Sequence, residues 1–540
     1  MKTRFMLIMA LTMGLSTAWA GGPLYNVRDF GVVGDGVAKD TAAVQKAIDT
    51  AASSGGGTVF FPAGSYLCGS LHLKSHITLM LDNGSVILGS TSKDDYDPWE
   101  TLPFKNDSDQ ETSYFHNALI WGEDVEYVAI TGQGMIDCNF KKRHGPKAIA
   151  LKRCRYVEIT GVHLRNCPNY NISMLGTDYV NIDGVTIQNG HADGIDPDSC
   201  MNVRISNCHI EAWDDAIVPK SSFSLGERRA CENITVTNCY LATGCNAFKL
   251  GTESGGDFKR IAVTNCVMDG LEEDPAISGI ALESVDGANI DGITVSNITM
   301  VNVRTPIFLR LGNRGRDMEI PTPGSLQNVA ISNVVATRAM FPCSITGIPK
   351  KRVMGVTLDN IRITYAGSNP MHPADTPIPE LEEKYPEADM FGTLPAYGMY
   401  CRHVEGLTLS KINFGCNRDF WRLTTPDDRK VNWKKDGAPD LSAPAEPGTT
   451  IFMDDVSDVI IEGLQGVPTE GAMVHFVNVR TAVLRGCLPA GDTKTFLQLS
   501  GEGTRNIKLM GNVLDGASQA VKFDEGVRQD AVEAYPPIKR

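Results

Sequence analysis

A unit of alternating strand character recurs through the middle of the chain, and no other feature restricts the fold as tightly. Segments beginning at Val157, Val180, Val203, Ile234, Ile261, Ile293, Val329 and Val356 share one pattern: apolar, polar, apolar, polar, Asn or Gly, apolar. VNIDGV, VRISNC, ITVTNC, IAVTNC, ITVSNI, VAISNV and VTLDNI show it, with starts 23 to 36 residues apart. Short strands of period two, repeated at such spacing, predict a β-solenoid in which each coil buries its apolar face against the next. Asn207, Asn238, Asn265, Asn297, Asn333 and Asn360 fall at the fifth position of successive units. Asn tolerates the left-handed conformation of a sharp corner, and stacked amides bond to one another, so this ladder reads as structural. Weaker units at Leu407, Val459, Ala482 and Ile507 carry the solenoid almost to the end of the chain.

The first 20 residues, MKTRFMLIMALTMGLSTAWA, read as a secretory signal peptide cleaved after Ala20. Its apolar run from Phe5 to Leu15 is too short to span a bilayer, so a secreted or periplasmic chain with no membrane insertion is expected. Residues 21–117 are assigned to an N-terminal cap and first coils, and 118–540 to the solenoid proper. In the cap, DTAAVQKAIDTAA reads as a helix, with Asp40 or Thr41 capping it and Val44, Ala47, Ile48 and Ala51 on one face. Two stretches near 366–398 and 417–448 break the rhythm, and long excursions of this kind commonly wall a groove. Trp421 and Trp433 lie in the second, as candidates either for stacking on sugar or for packing against the solenoid.

The net charge of −14, with no basic stripe, speaks against nucleic acid as a partner. It also means that an anionic polymer could be held only by locally placed cations. Of 14 cysteines, Cys208, Cys239 and Cys266 occupy a unit position that elsewhere holds Val185, Ile298, Val334 or Ile361. They therefore read as small core hydrophobes, neither metal ligands nor disulfide partners. A monomer is expected.

Three aspartates mark a candidate site. Asp193 lies 13 residues past the start of its unit, and Asp214 and Asp215 lie 11 and 12 past the start of the next. If each unit is one coil, the three carboxyls meet on one face of adjacent rungs, about 4.8 Å apart per rung. Crowded carboxylates repel, which shifts proton affinities and favours acid/base chemistry; a calcium site or an acidic turn is the other reading.

The run from VEYVAITGQGMIDC through NGHADGIDPDSC to EAWDDAIVPKSS closely resembles glycoside hydrolase family 28, which includes polygalacturonases and rhamnogalacturonan hydrolases. The resemblance spans roughly Tyr25 to Arg310 and is strongest over 125–222. It implies an all-β, right-handed parallel β-helix with a capping helix and groove-lining loops, and inverting hydrolysis of pectic polysaccharide. Carried over residue by residue, Asp214 resembles the general acid, and Asp193 and Asp215 the bases that activate water. Inversion needs room for that water, with the two carboxyls typically about 6.5–9.5 Å apart. Two carboxyls suffice for the proton transfers, so neither cofactor nor metal is expected.

Other family motifs are altered. The Gly-His-Gly segment falls on Cys245-Asn246-Ala247, and the Arg-Ile-Lys segment on Ala281-Leu282-Glu283, so the cations that the family uses for a uronate group are missing. Aligning Ile217-Val218-Pro219-Lys220, Phe248-Lys249-Leu250-Gly251 and Ile280-Ala281-Leu282-Glu283 puts Lys249 and Lys220 in the vacated columns one or two rungs away. Lys220, Lys249 and Arg310 are candidate substrate clamps, with Asn246 and Glu283 beside them; a salt-bridge ladder of Lys220, Lys249 and Glu283 is the competing reading. The expected substrate is an acidic, plant-type polysaccharide or oligosaccharide. A polysaccharide lyase, or an inactive carbohydrate-binding β-helix, stands as the alternative.

Overall fold

The computed structural model describes residues 22–271, 274–366, 377–417, 448–467 and 470–535. The leader, Trp421 and Trp433 lie outside the described residues. Parallel strands stack into the solenoid that the repeat predicts, a right-handed parallel β-helix as the family resemblance implies. The unit starts form one vertical column: Val157 pairs with Val180, then Val203, Ile234, Ile261, Ile293, Val329 and Val356. The column continues through Leu407, Val459, Ala482 and Ile507, so the weaker units are coils of the same stack. Because alternate side chains of each strand point inward, the column fills a single continuous core.

The Asn ladder turns a corner. Asn207, Asn238, Asn265, Asn297, Asn333 and Asn360 all have φ between 54° and 57°. Amide bonds of 2.8–3.0 Å run from Asn360 to Asn333, on to Asn297 and then to Asn265. Cys208, Cys239 and Cys266 are buried in an interior column that continues as Ile298, Val334 and Ile361. All 14 cysteines are free thiols.

At the N-terminal end, the helix Thr41–Ser53 buries Val44, Ala47, Ile48 and Ala51 over the first coils. Neither predicted cap works as expected. The Asp40 carboxylate instead accepts from the amides of Val33 and Gly34 at 2.8 and 3.0 Å, and Thr41 Oγ1 accepts from the Gly69 amide. The acid thus ties the Gly-rich turn to the helix start. Among the described residues, no helix is long and apolar enough to cross a membrane.

A second side of the helix carries the short strands Leu71–His72, Ala118–Glu123, Lys147–Lys152, Ile172–Leu175 and Ile195–Asp198. It continues through Ile217 to Asn246–Leu250, Ala276–Ser284 and Val303–Leu311. The register Ile217–Phe248–Ile280 is the one used in the strand alignment above. Residues 377–398 fold back over this side, with Phe391 and Leu394 packed against Tyr400.

Candidate active site

Ladder bonds place the aspartates. The Gly194 amide donates to the Asp215 carbonyl and the Ala216 amide to the Asn246 carbonyl, both at 2.9 Å, so Asp193, Asp215 and Asn246 follow one another on successive coils. Asp214 precedes Asp215 and is the most open of the acids: its side chain is 26% exposed, against 4% for Asp193 and 7% for Asp215. Its backbone carbonyl accepts a bond from Thr243 Oγ1, which fixes the turn.

Each enclosed aspartate is held by a buried lysine. Lys220 Nζ lies 2.7 Å from Asp193 and 2.6 Å from Asp196. Lys249 Nζ lies 3.3 Å from Asp215, 3.8 Å from Glu387 and 3.9 Å from Glu283. Burial opposes the charge on both lysines, yet the surrounding carboxylates hold their proton affinities well above the ordinary lysine range. Asn246 reaches the same cluster, donating from Nδ2 to Asp215 at 2.8 Å while its own Oδ1 accepts from Ser278 Oγ. Glu283 is fully buried, and neither of its oxygens has a hydrogen-bond partner among the described residues. Arg310, on the next coil, turns its guanidinium to the carbonyls of Gly347, Glu380 and Leu381, fastening the 377–398 segment to the helix. The structure therefore brings Lys220, Lys249, Asn246 and Glu283 around the trio, and directs Arg310 to the wall.

Opposed effects set the protons. Burial, and then the neighbouring Asp196, raise the Asp193 carboxyl well above the usual carboxylate range despite Lys220. Burial raises the Asp196 carboxyl as well, against the pull of Lys220. Burial also pushes Asp214 upward, but Arg143 beside it, and then Lys249 and Lys220, outweigh that and hold it below the ordinary value. Burial, moderated by Lys249, lifts Glu387 to about 7.

Four of these groups were not singled out from sequence. Arg143 bonds Asp214 with one guanidinium nitrogen and Glu111 with another, both at 2.5 Å. Its signal was available, because KKR at 141–143 is a basic run in an acidic chain. Asp196 was legible too, as an acid three residues beyond Asp193 in a strand. Glu111 sits in the single helical turn Gln110–Ser113 and Glu387 in an irregular segment, and the strand repeat predicts the path of neither. Asp214, Asp215 and Cys245 bring their ligand atoms within 4.8 Å of one another, a group among the described residues that could hold a metal ion.

The Arg143–Glu111 pair stands between two cavities. One, of about 550 Å³, is lined by Glu111, Trp99 and Tyr114. The other, of about 680 Å³, is lined by Arg143, His191 and Trp213. Two aromatic-walled cavities thus flank the Arg143–Glu111 pair, and Arg143 in turn bonds the half-buried Asp214 beside its enclosed partners, an arrangement suited to acid/base cleavage of a chain of sugar rings.

Comparison with known proteins agrees with that chemistry. The model for glycosyl hydrolases family 28 matches residues 58–377. A probable polygalacturonase of Vitis vinifera is 26% identical over 433 residues, covering 72% of this chain and 86% of its own length. An exo-poly-alpha-D-galacturonosidase of Dickeya chrysanthemi is 24% identical over 334 residues, covering 49% and 54%. Among solved structures, the exopolygalacturonase of Thermotoga maritima superposes with a TM-score of 0.57 at 21% identity, covering 73% of this chain and 92% of that one.

Proposed function

Because the chain belongs to glycosyl hydrolases family 28 and is therefore a glycoside hydrolase, we propose that it cleaves pectic-type acidic polysaccharide, or its oligosaccharides, with inversion. The difference in exposure among the three aspartates carries this reading. Asp214, the most accessible of the three, is suited to protonating the leaving oxygen of a bulky chain. Asp193 and Asp215 are enclosed, a setting suited to holding a water and not a sugar ring. The names of the Vitis and Dickeya relatives support the substrate class.

In this mechanism Lys220, Lys249, Asn246 and Glu283 are positioning residues that fix the two bases. A direct clamp on substrate by either lysine would require its carboxylate contacts to break first. Arg310 stiffens the wall. Asp214 is ionised while Arg143 holds it, so its loading with a proton requires Arg143 to turn toward another anion. We also assign the chain to the cell exterior or periplasm, on its leader; a mature N-terminus at Gly21, read by mass spectrometry, checks this.

The test is turnover on a panel of galacturonan and rhamnogalacturonan oligosaccharides. Asp214→Asn is expected to lower kcat by about 10²–10⁴-fold with little change in KM, the usual worth of a positioned acid. Unsaturated products from the wild type would instead identify a lyase. Binding without any turnover would identify a carbohydrate-binding protein.

A further inference from the structure

Four lysines are buried on the side of the helix that carries the trio: Lys147, Lys152, Lys220 and Lys249. Three of them meet a carboxylate, Lys152 at 3.2 Å, Lys220 at 2.6 Å and Lys249 at 3.3 Å. Lys147 makes no ion pair among the described residues, although it is only 1% exposed. Its ammonium donates to Ser173 Oγ at 2.9 Å and faces the rings of Phe115 and Tyr170, 3.7 and 5.3 Å from their centres. Burying an amine without a counter-ion costs stability, and here a hydroxyl and two ring faces are all that offset the cost.

The register sets this amine on the column of the bases. Ile149 pairs with Ile172, Ile172 with Ile195, and Ile195 with Ile217. The residues two positions before them, Lys147, Tyr170, Asp193 and Asp215, therefore lie on successive coils. Tyr170 stands between Lys147 and Asp193, and the Lys220 ammonium lies 4.1 Å from the centre of its ring. Ser173, which accepts the Lys147 bond, pairs in register with Asp196. Asp196 gives one oxygen to Lys220, while its Oδ2 is buried without a hydrogen-bond partner among the described residues. Burial drives the Lys147 amine down to about 7; Asp196, Glu100 and Glu111 pull it upward, and Lys220 pushes it further down. Lys147 in return favours the ionised form of Asp196. Asp193 itself faces Asp196, Lys220, Asp214 and Asp215.

We propose that Lys147 is a positioning residue for the hydrolysis: its positive charge, set beside Ser173 and Asp196 on the column of the bases, favours the ionised Asp193–Asp196 pair, the form in which Asp193 accepts a proton from water. This rests on the hydrolase reading above, in which Asp193 is a base. The amine is charged below about pH 7, the range in which a carboxyl base loses its proton. A neutral side chain in its place leaves Lys220 as the bonded counter-charge of both carboxyls and raises their proton affinity.

The test is the pH dependence of kcat/KM on a pectic oligosaccharide for the wild type, Lys147→Met and Lys147→Gln. Both variants are neutral, and only Gln keeps a donor for Ser173. The acid limb is expected to move up by at least about half a pH unit in both, less than the roughly 1–3 units of a directly paired charge, with KM little changed. A limb that stays in place in either variant overturns the role; one restored by Gln alone would leave Lys147 as a hydrogen-bond donor and nothing more. A second measurement needs no turnover. Between about pH 7 and the ordinary 10.5 the folded amine binds fewer protons than the unfolded one, so stability rises with pH across that window. The wild type should therefore gain in melting temperature on Lys147→Met as pH rises through it. Parallel melting curves would show an amine that does not titrate there, and would overturn the role whatever the turnover. A wild type that cleaves no pectic oligosaccharide removes the hydrolase reading and this role with it, whereas cleavage with an unmoved limb removes the role alone.

Discussion

Lys220 bridges Asp193 and Asp196, two adjoining buried acids whose charges it offsets. Removing one partner of a buried ion pair leaves the other desolvated and unpaired, at a cost of about 3–5 kcal/mol. Lys220→Met is therefore predicted to destabilise by that amount, measured as a denaturation midpoint, with Lys220→Met/Asp193→Asn recovering part of the loss; an unshifted midpoint would contradict the arrangement. Glu387 gives a pH signature. Its folded proton affinity lies at about 7 against an ordinary 4.5, mainly through burial, so its contribution to stability is complete below pH 4.5 and is lost as pH rises through 7. Melting temperatures of wild type and Glu387→Gln should converge at low pH, with the wild type falling further behind toward pH 8; parallel curves would mean that Glu387 does not titrate there. At this scale the sequence was informative where chemistry sits on the repeat. The trio and both lysines could be placed from their phase in a coil. Glu111, Arg143 and Glu387 could not, because the segments that carry them lie outside the strand repeat and reach the site only through tertiary folding.

The corner ladder shows how an element is specified by a single residue type. Asn297 sits at φ 56° and links Asn265 to Asn333 through its amide. Left-handed backbone costs most L-residues roughly 1–2 kcal/mol, and Asn least among those bearing a Cβ. Asn297→Ala should lower stability by about 1–2 kcal/mol, while Asn297→Gly, which keeps the backbone freedom, should lose less. Equal losses would assign the effect to the amide bonds alone. Coils could be read from sequence because every strand repeats one instruction, apolar side chains inward at period two and Asn at the turn. The cap was read less well. Asp40 stands where a helix cap belongs, but its carboxylate satisfies the amides of the preceding turn, a long-range demand that local spacing does not reveal. The stretch near 366–398 reads as an excursion from its composition, but that its part 377–398 seats Glu387 beside Lys249 follows only from its fold.

As a whole, the molecule is one stack whose core needs no covalent staple. All cysteines are free, and those in the column of Cys208, Cys239 and Cys266 pack as hydrophobes. Reductant is predicted to leave the melting temperature unchanged, and thiol reagents should reach the buried sulfurs only on unfolding; a fall in melting temperature on reduction would reveal a disulfide. The same stacking explains how chemistry is mounted on the fold. Adjacent coils deliver the enclosed Asp193 and Asp215, the proposed bases, from one column and the half-buried Asp214, the proposed acid, from the residue beside it, while loops supply counter-charges and walls. The central claim is that these carboxyls hydrolyse a glycosidic bond by direct attack of water. Proton NMR of the first product formed from a pectic oligosaccharide, recorded before mutarotation, tests this most directly. The account predicts a reducing end of inverted anomeric configuration, absent in Asp214→Asn. A product of retained configuration would contradict it.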